Sequence, residues 1–261
     1  MTTLARLVFA CFTLLLGVAP AGAANTIGVV LLHGKTGMPS QLAKLSAALT
    51  VAGYAVETPE MCWSKKRIFD KAFPACLAEV DAAVADLKAR GATKIVVGGT
   101  SQGAVGALAY AADHPTLAGV VGMAPACDPG DTARFPEVVD GLRSAHALVA
   151  QGRGDTVTAI EDIAGGKEIT VKATPTVYLS FHGTDSPIAT MKGMMVTTLP
   201  KLAMPLLWVA GARDGSQVIA PEAFAAAPRN GRSRYVTVDA DHGGTPDAAV
   251  PAVVAWLQTL Q

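Results

Sequence analysis

The chain has 261 residues, 21 Lys and Arg balanced by 21 Asp and Glu, and 51% hydrophobic against 16% charged residues. A neutral balance gives no electrostatic reason to expect nucleic acid or an acidic membrane surface as a partner. The length and apolar content are those of a compact enzyme with one large core.

The N-terminus carries a single side-chain charge, Arg6, then an apolar stretch over 7–18, Pro20 and the small-residue run Ala21-Gly22-Ala23-Ala24. This is the layout of a secretory signal peptide. The apolar stretch is shorter than the roughly 20 residues a helix needs to span a bilayer, so cleavage is expected rather than a membrane anchor. A leader over 1–24 is expected, followed by a domain over 25–261 that is exported to the periplasm or beyond.

From Thr26 onward, apolar runs alternate with helical patterns, which predicts a mostly parallel sheet with helices on both faces, an α/β fold. In chain order the pattern predicts a strand at 28–32, a helix at 39–52 ended by Gly53, and a strand at 54–57. A helix at 74–90 follows, ended by Gly91, then a strand at 94–97, a helix at 102–112 closed by His114-Pro115, and a strand at 117–123. Strands at 206–210 and 235–238 and a helix at 246–260 complete it. Between Pro125 and Pro205 the rhythm breaks. After a helical piece over 135–150, the stretch is rich in Gly, Thr, Pro and Met and too long for an ordinary connection, so 128–204 reads as a lid inserted over the site.

Three words stand just beyond predicted strands. Gly99-Thr100-Ser101-Gln102-Gly103 lies between a strand and a helix, where a nucleophile occupies a sharp turn and only glycine lets the flanking backbones pass closely. In a chain with 26 glycines the bare motif is weak; its strand–turn–helix setting strengthens it. Gly211-Ala212-Arg213-Asp214 places a carboxylate after the strand at 206–210, although aspartate beside glycine is more often a turn former. Asp241-His242-Gly243 follows the strand at 235–238; alone, this histidine reads equally well as a surface loop residue. Together they supply nucleophile, acid and base in the order Ser, Asp, His.

Two nucleotide motifs fail. Gly34-Lys35-Thr36 would need glycine five residues before Gly34, where Val29 stands, and Gly98, Gly99, Gly103 and Gly106 do not spell G-x-G-x-x-G. No cofactor and no metal are expected.

Of four cysteines, Cys11 falls in the leader, and Cys62, Cys76 and Cys127 lack the paired C-x-x-C spacing of a zinc site. Cys62–Cys76 is the preferred disulfide, closing a short loop at a gain of roughly 3 kcal/mol. Cys62–Cys127 and three buried thiols are the alternatives. Trp63, His182 and Met194 are candidates for the substrate cleft, beside the commoner role of such residues as core filling. His114 is expected to cap a helix C-terminus, and His146 to lie on a solvated face.

Through the Ser101 turn, Asp214, His242 and the early word His33-Gly34, the chain resembles the α/β-hydrolase superfamily from about residue 26 to 260. The resemblance implies an oxyanion hole built from the N–H of Gln102 and one from the loop His33-Gly34-Lys35-Thr36-Gly37, assigned to Lys35, with Thr36 the alternative. Such a donor is worth about 2.7 to 4 kcal/mol. With the leader removed, the mature chain is expected to start almost at the first strand, so the family's two leading strands are not expected and a minimal six-stranded core is implied. The resemblance also implies acyl transfer to Ser101, with His242 as base and Asp214 orienting it. A serine nucleophile argues against a haloalkane dehalogenase, which uses aspartate. The expected activity is a carboxylesterase acting on small or medium esters. The alternatives are a peptidase or amidase of the same fold, or a non-catalytic ligand-binding protein.

Overall fold

The computed structural model describes residues 26–126 and 136–261. The expected leader, Cys11 and Cys127 lie outside the described residues.

The chain begins with β1 (Ile27–Leu32), a helical turn (Pro39–Leu42), α1 (Ala43–Val51), β2 (Ala55–Glu57), α2 (Phe73–Ala89), β3 (Lys94–Thr100), α3 (Gln102–Asp113) and β4 (Gly119–Met123). It continues through α4 (Pro136–Ala150), β5 (Thr158–Ala164), β6 (Lys167–Ala173), α5 (Pro175–His182) and α6 (Met191–Thr197). Then follow β7 (Leu206–Gly211), α7 (Ala220–Ala226), β8 (Arg234–Val238), α8 (Thr245–Ala248) and α9 (Val250–Gln258). Among the described residues, no helix is long and apolar enough to cross a membrane.

One six-stranded sheet runs in the order β2-β1-β3-β4-β7-β8, with every neighbouring pair parallel. Its inner strands are buried along their length because both faces are covered, which is why they read as unbroken apolar runs. Successive side chains point to opposite faces. Val30, Leu32, Val97 and Trp208 therefore meet α2, α3 and the segment after β4, whereas Val29, Leu31, Val96 and Val209 meet α1 and α9. The chain leaves β1 toward β2 on one side and returns to β3 on the other, so the loops after β1 and β3 face one another across a switch point, where α/β sheets bind ligands.

The segment between β4 and β7 contributes Ile160, Val171, Phe181, Met194 and Leu199 to the core layer it covers. Its antiparallel β5–β6 hairpin and α5 and α6 were not expected from the pattern, nor was α7. The single helix expected at 246–260 is two helices, because Pro251 lacks an N–H for an interior helix bond and sits instead in the first turn of α9. Cys62 and Cys76 are joined in a disulfide with Cα atoms 5.7 Å apart, tying the loop after β2 to the first turn of α2.

Candidate active site

Ser101 caps α3 with φ 54° and ψ −121°, a backbone region that a residue with a side chain occupies only when its surroundings enforce it. The neighbours enforce it here. A Cβ on Gly99 would run into the backbone of Gly103, and one on Gly103 would run into the carbonyls of Leu32 and His33. Tight passage of α3 beside the end of β1 thus requires both glycines.

His242 comes from the loop after β8 and Asp214 from the loop after β7. The Ser101 hydroxyl lies 2.9 Å from His242 Nε2, and His242 Nδ1 lies 2.7 Å from Asp214 Oδ2. A carboxylate only accepts, so Nδ1 carries the proton and, in the neutral imidazole, Nε2 accepts from Ser101. The three side chains named from sequence are brought together as one hydrogen-bonded chain. The Asp214 side chain is 3% exposed and that of His242 36%, so the acid is shielded while the imidazole opens to the solvent side. Burial pushes the Asp214 carboxyl up, but hydrogen bonds from His242 and Ser216 outweigh it and hold the group below its ordinary value.

Sequence reasoning did not find the residues that hold the acid. Asp214 Oδ1 accepts from the Ser216 N–H at 2.9 Å and the Ser216 hydroxyl at 2.7 Å. Gln217 Nε2 donates to the Pro125 carbonyl at 2.9 Å, and its Oε1 accepts from Trp208 Nε1 at 3.3 Å. The acid loop is thereby fastened to the end of β4.

In the loop after β1, a Cβ on Gly34 would stand 3.4 Å from that of Ser101. The Gly34 N–H donates to Gln41 Oε1 at 2.8 Å, the Thr36 N–H to the Trp63 carbonyl at 2.9 Å and the Gly37 N–H to the Gly34 carbonyl at 2.9 Å. Thr36, the alternative oxyanion donor, is therefore already committed. Among the described residues the Lys35 N–H has no protein acceptor. Gln102 begins α3, where an N–H has no intrahelical partner.

The Lys35 side chain turns away from solvent, its Nζ 2.8 Å from Asp162 Oδ1 on β5. Burial would raise the Asp162 carboxyl, but the Lys35 and His182 charges beside it hold it far below the usual carboxylate range. The signal for Asp162 was present in the chain: along β5 it stands two residues from the buried Ile160, with the exposed Glu161 between them, so a carboxylate stands on the core face.

The three residues expected at the substrate cleft are all buried. Trp63 is 1% exposed; its Nε1–H donates to the His33 carbonyl at 2.8 Å, and its ring packs where a Cβ on Gly106 would be 2.9 Å away. It braces the loop after β1 from below. His182 lies beside Asp162, 3.7 Å from its Oδ2, with its ring 4.7 Å from that of Tyr178. Met194 is fully buried in the core layer. His114 caps α3 through Tyr110 and His146 is exposed, both as expected. An open groove of about 450 Å³ borders Gly211, Asp214, Val218, Tyr235 and Thr237. Among the described residues, no group of three or more His, Cys, Asp or Glu is placed to hold a metal.

This parallel sheet, with its switch-point site and six strands among the described residues, is that of an α/β-hydrolase. The chain belongs to the Hydrolase_4 family, described as "Serine aminopeptidase, S33", whose model matches residues 24–243. Solved structures share the fold at low identity. One reported with LipS and LipT, two metagenome-derived lipolytic enzymes, has a TM-score of 0.63 at 20% identity, covering 90% of this chain and 94% of that one. The monoacylglycerol lipase of Paleococcus ferrophilus gives 0.66 at 17%, covering 90% and 95%. Est1E from Butyrivibrio proteoclasticus gives 0.61 at 17%, covering 90% and 88%. No curated protein matches the chain. The family makes the protein a hydrolase, and these neighbours share its fold.

Proposed function

We propose that the protein is an exported serine carboxylesterase that cleaves small or medium esters through an acyl group carried on Ser101. The observation that carries this reading is the hydrogen-bonded chain Ser101–His242–Asp214. His242 Nε2 takes the hydroxyl proton as Ser101 Oγ attacks the ester carbonyl, and Asp214 steadies the imidazolium that forms. The negative charge on the carbonyl oxygen is met by the N–H groups of Gln102 and Lys35. His242 then returns its proton to the leaving alcohol, and water, deprotonated by the same imidazole, releases the acid.

Fold neighbours that are lipolytic enzymes support the ester preference. The family description favours a second reading, an aminopeptidase, in which the same residues would cleave an amide. Reaction of the mature protein with a fluorophosphonate probe, followed by a panel of acyl esters and aminoacyl amides, tests both. Labelling at Ser101 that disappears in Ser101→Ala, with esters cleaved faster, is the expected result. Absence of labelling in folded protein overturns serine catalysis, and faster amide cleavage selects the peptidase.

Export is supported by the leader over 1–24 and by the Cys62–Cys76 disulfide, which persists in oxidising compartments. Mass determination of protein recovered from an expressing bacterium should give a chain starting near Asn25. We read the insertion over 128–204 as the cover of the site, because it leaves the end of β4, next to the end of β3 that carries Ser101, and its Asp162 pairs with Lys35 of the loop beside Ser101.

A further inference from the structure

Lys35 and Asp162 form an ion pair sealed from water, with side chains 4% and 0% exposed. Such a pair is a weak source of stability, because desolvating two charges cancels most of their attraction, and apolar residues of similar size often serve as well. Its placement is more informative. Lys35 is one residue beyond Gly34, which lies against Ser101. Asp162 is 127 residues further along the chain, on the hairpin of the insertion. The carboxylate is itself fixed: Oδ1 also accepts the Ile163 N–H at 2.8 Å, and Oδ2 lies 3.7 Å from His182 Nε2. The Phe69 ring closes another side, its centroid 5.7 Å from Nζ.

Resting on the esterase reading above, we propose that Asp162 is a positioning residue, which grips the Lys35 ammonium so that the Lys35 backbone N–H is held in place for the oxyanion. Two observations on the loop support it. The N–H groups of Gly34, Thr36 and Gly37 are all spent within the protein, leaving that of Lys35 for another acceptor. Thr36 stands at φ 53°, a left-handed conformation that a β-branched residue keeps only under restraint. The Asp162 grip on Lys35 and the Trp63 carbonyl on the Thr36 N–H supply that restraint from either side. The ammonium acts at the far end of the side chain while the chemistry uses the main chain, so Asp162 never meets the ester.

The test replaces the pair in two ways, by Lys35→Met with Asp162→Leu and by Asp162→Asn, and measures kcat, KM and inhibition by a trifluoromethyl ketone. That probe adds Ser101 Oγ to its carbonyl carbon, passes the hydroxyl proton to His242 and leaves its oxygen as an oxyanion in the hole. The expected result is a kcat lower by about 10- to 100-fold, KM within about twofold, and ketone affinity weakened by the same factor as kcat/KM. Because a buried ion pair is dispensable for folding, the double variant should melt at or above the wild-type temperature. Should it instead unfold at the assay temperature, Asp162→Asn carries the test on the same readouts. A folded variant with wild-type kcat overturns the proposal, as does a fall in kcat without loss of ketone affinity. Fluorophosphonate labelling of the same samples separates the two claims. An unlabelled wild type overturns the serine-esterase reading and the positioning role with it, whereas a labelled wild type beside fully active variants overturns the positioning role alone.

Discussion

Ser216 grips the oxygen of Asp214 that His242 does not use. Both the Ser216 N–H and its hydroxyl reach Oδ1, at 2.9 and 2.7 Å, while His242 holds Oδ2, and the Ser216 hydroxyl also lies 3.4 Å from His242 Nδ1. Ser216→Ala removes one hydrogen bond to a charged group, of the kind worth about 1.5 to 3 kcal/mol. The expected outcome is a several-fold loss of kcat with little change in KM, because the backbone N–H still restrains the carboxylate. Steady-state kinetics on a chromogenic ester checks it, and a variant with unchanged kcat would show that the backbone contact suffices.

Loss of the disulfide should weaken both the fold and the reaction. The loop following Cys62 is bound directly to the one that follows β1: the Trp63 carbonyl accepts the Thr36 N–H, and the Lys65 N–H donates to the Gly37 carbonyl. Removing a bridge with a sequence separation of 14 costs roughly 3 kcal/mol on the chain-entropy estimate. This should lower the melting temperature by on the order of 10 °C. Thermal melts and kinetics of Cys62→Ala with Cys76→Ala should show a lower kcat as well as the lower melting point.

Trp63→Phe tests the indole as a brace. The change leaves the His33 carbonyl without its 2.8 Å partner, at a cost of about 1 to 3 kcal/mol. Because the ring is buried, KM should stay within about twofold for esters of every acyl length, while stability falls. A KM change that depends on acyl length would return Trp63 to the substrate cleft.

Stability should fall with acid in two stages. Burial depresses His33 below the ordinary histidine value of about 6.5, so as pH drops under about 6.5 the unfolded chain binds a proton that the folded chain refuses, and stability declines. Asp162 and Asp214 are also depressed in the fold. Their contribution is complete above the ordinary carboxylate value near 3.9 and is lost as pH falls through their folded values. Urea melts between pH 3 and 7.5 should show a midpoint that falls steadily below pH 6.5 and more steeply below 4.

The sheet and its three chemistry-bearing turns were legible because each buried parallel strand is an unbroken apolar run and each candidate side chain stands within four residues of a strand end. The elements of the insertion beyond its first helix were not read, because the helix–strand rhythm used for the rest does not apply to a hairpin. Its own signal is local: Gly165 and Gly166 at φ 58° and 75°, the glycine pair that a two-residue turn favours, between runs that alternate around Ile160 and Val171. Missing the hairpin hid Asp162, whose meaning depends on which face of β5 it occupies. Trp63 was misplaced for a different reason. Proximity to the sheet's C-terminal edge says nothing about which way an indole points, and Gly106 with the His33 carbonyl draws it inward.

Gln217 spans the gap between the end of β4 and the loop after β7, stitching together two places that the chain itself connects only by way of the whole insertion. Among the described residues, the hydrogen bonds that seat Asp214 and Gln217 come from outside the intervening segment, so that segment is a module exchangeable for another. The exchange carries one condition. A replacement with no acidic group opposite Lys35 would strand a cation in an apolar interior, so descendants with altered covers should have kept an equivalent of Asp162 or have lost the lysine together with it.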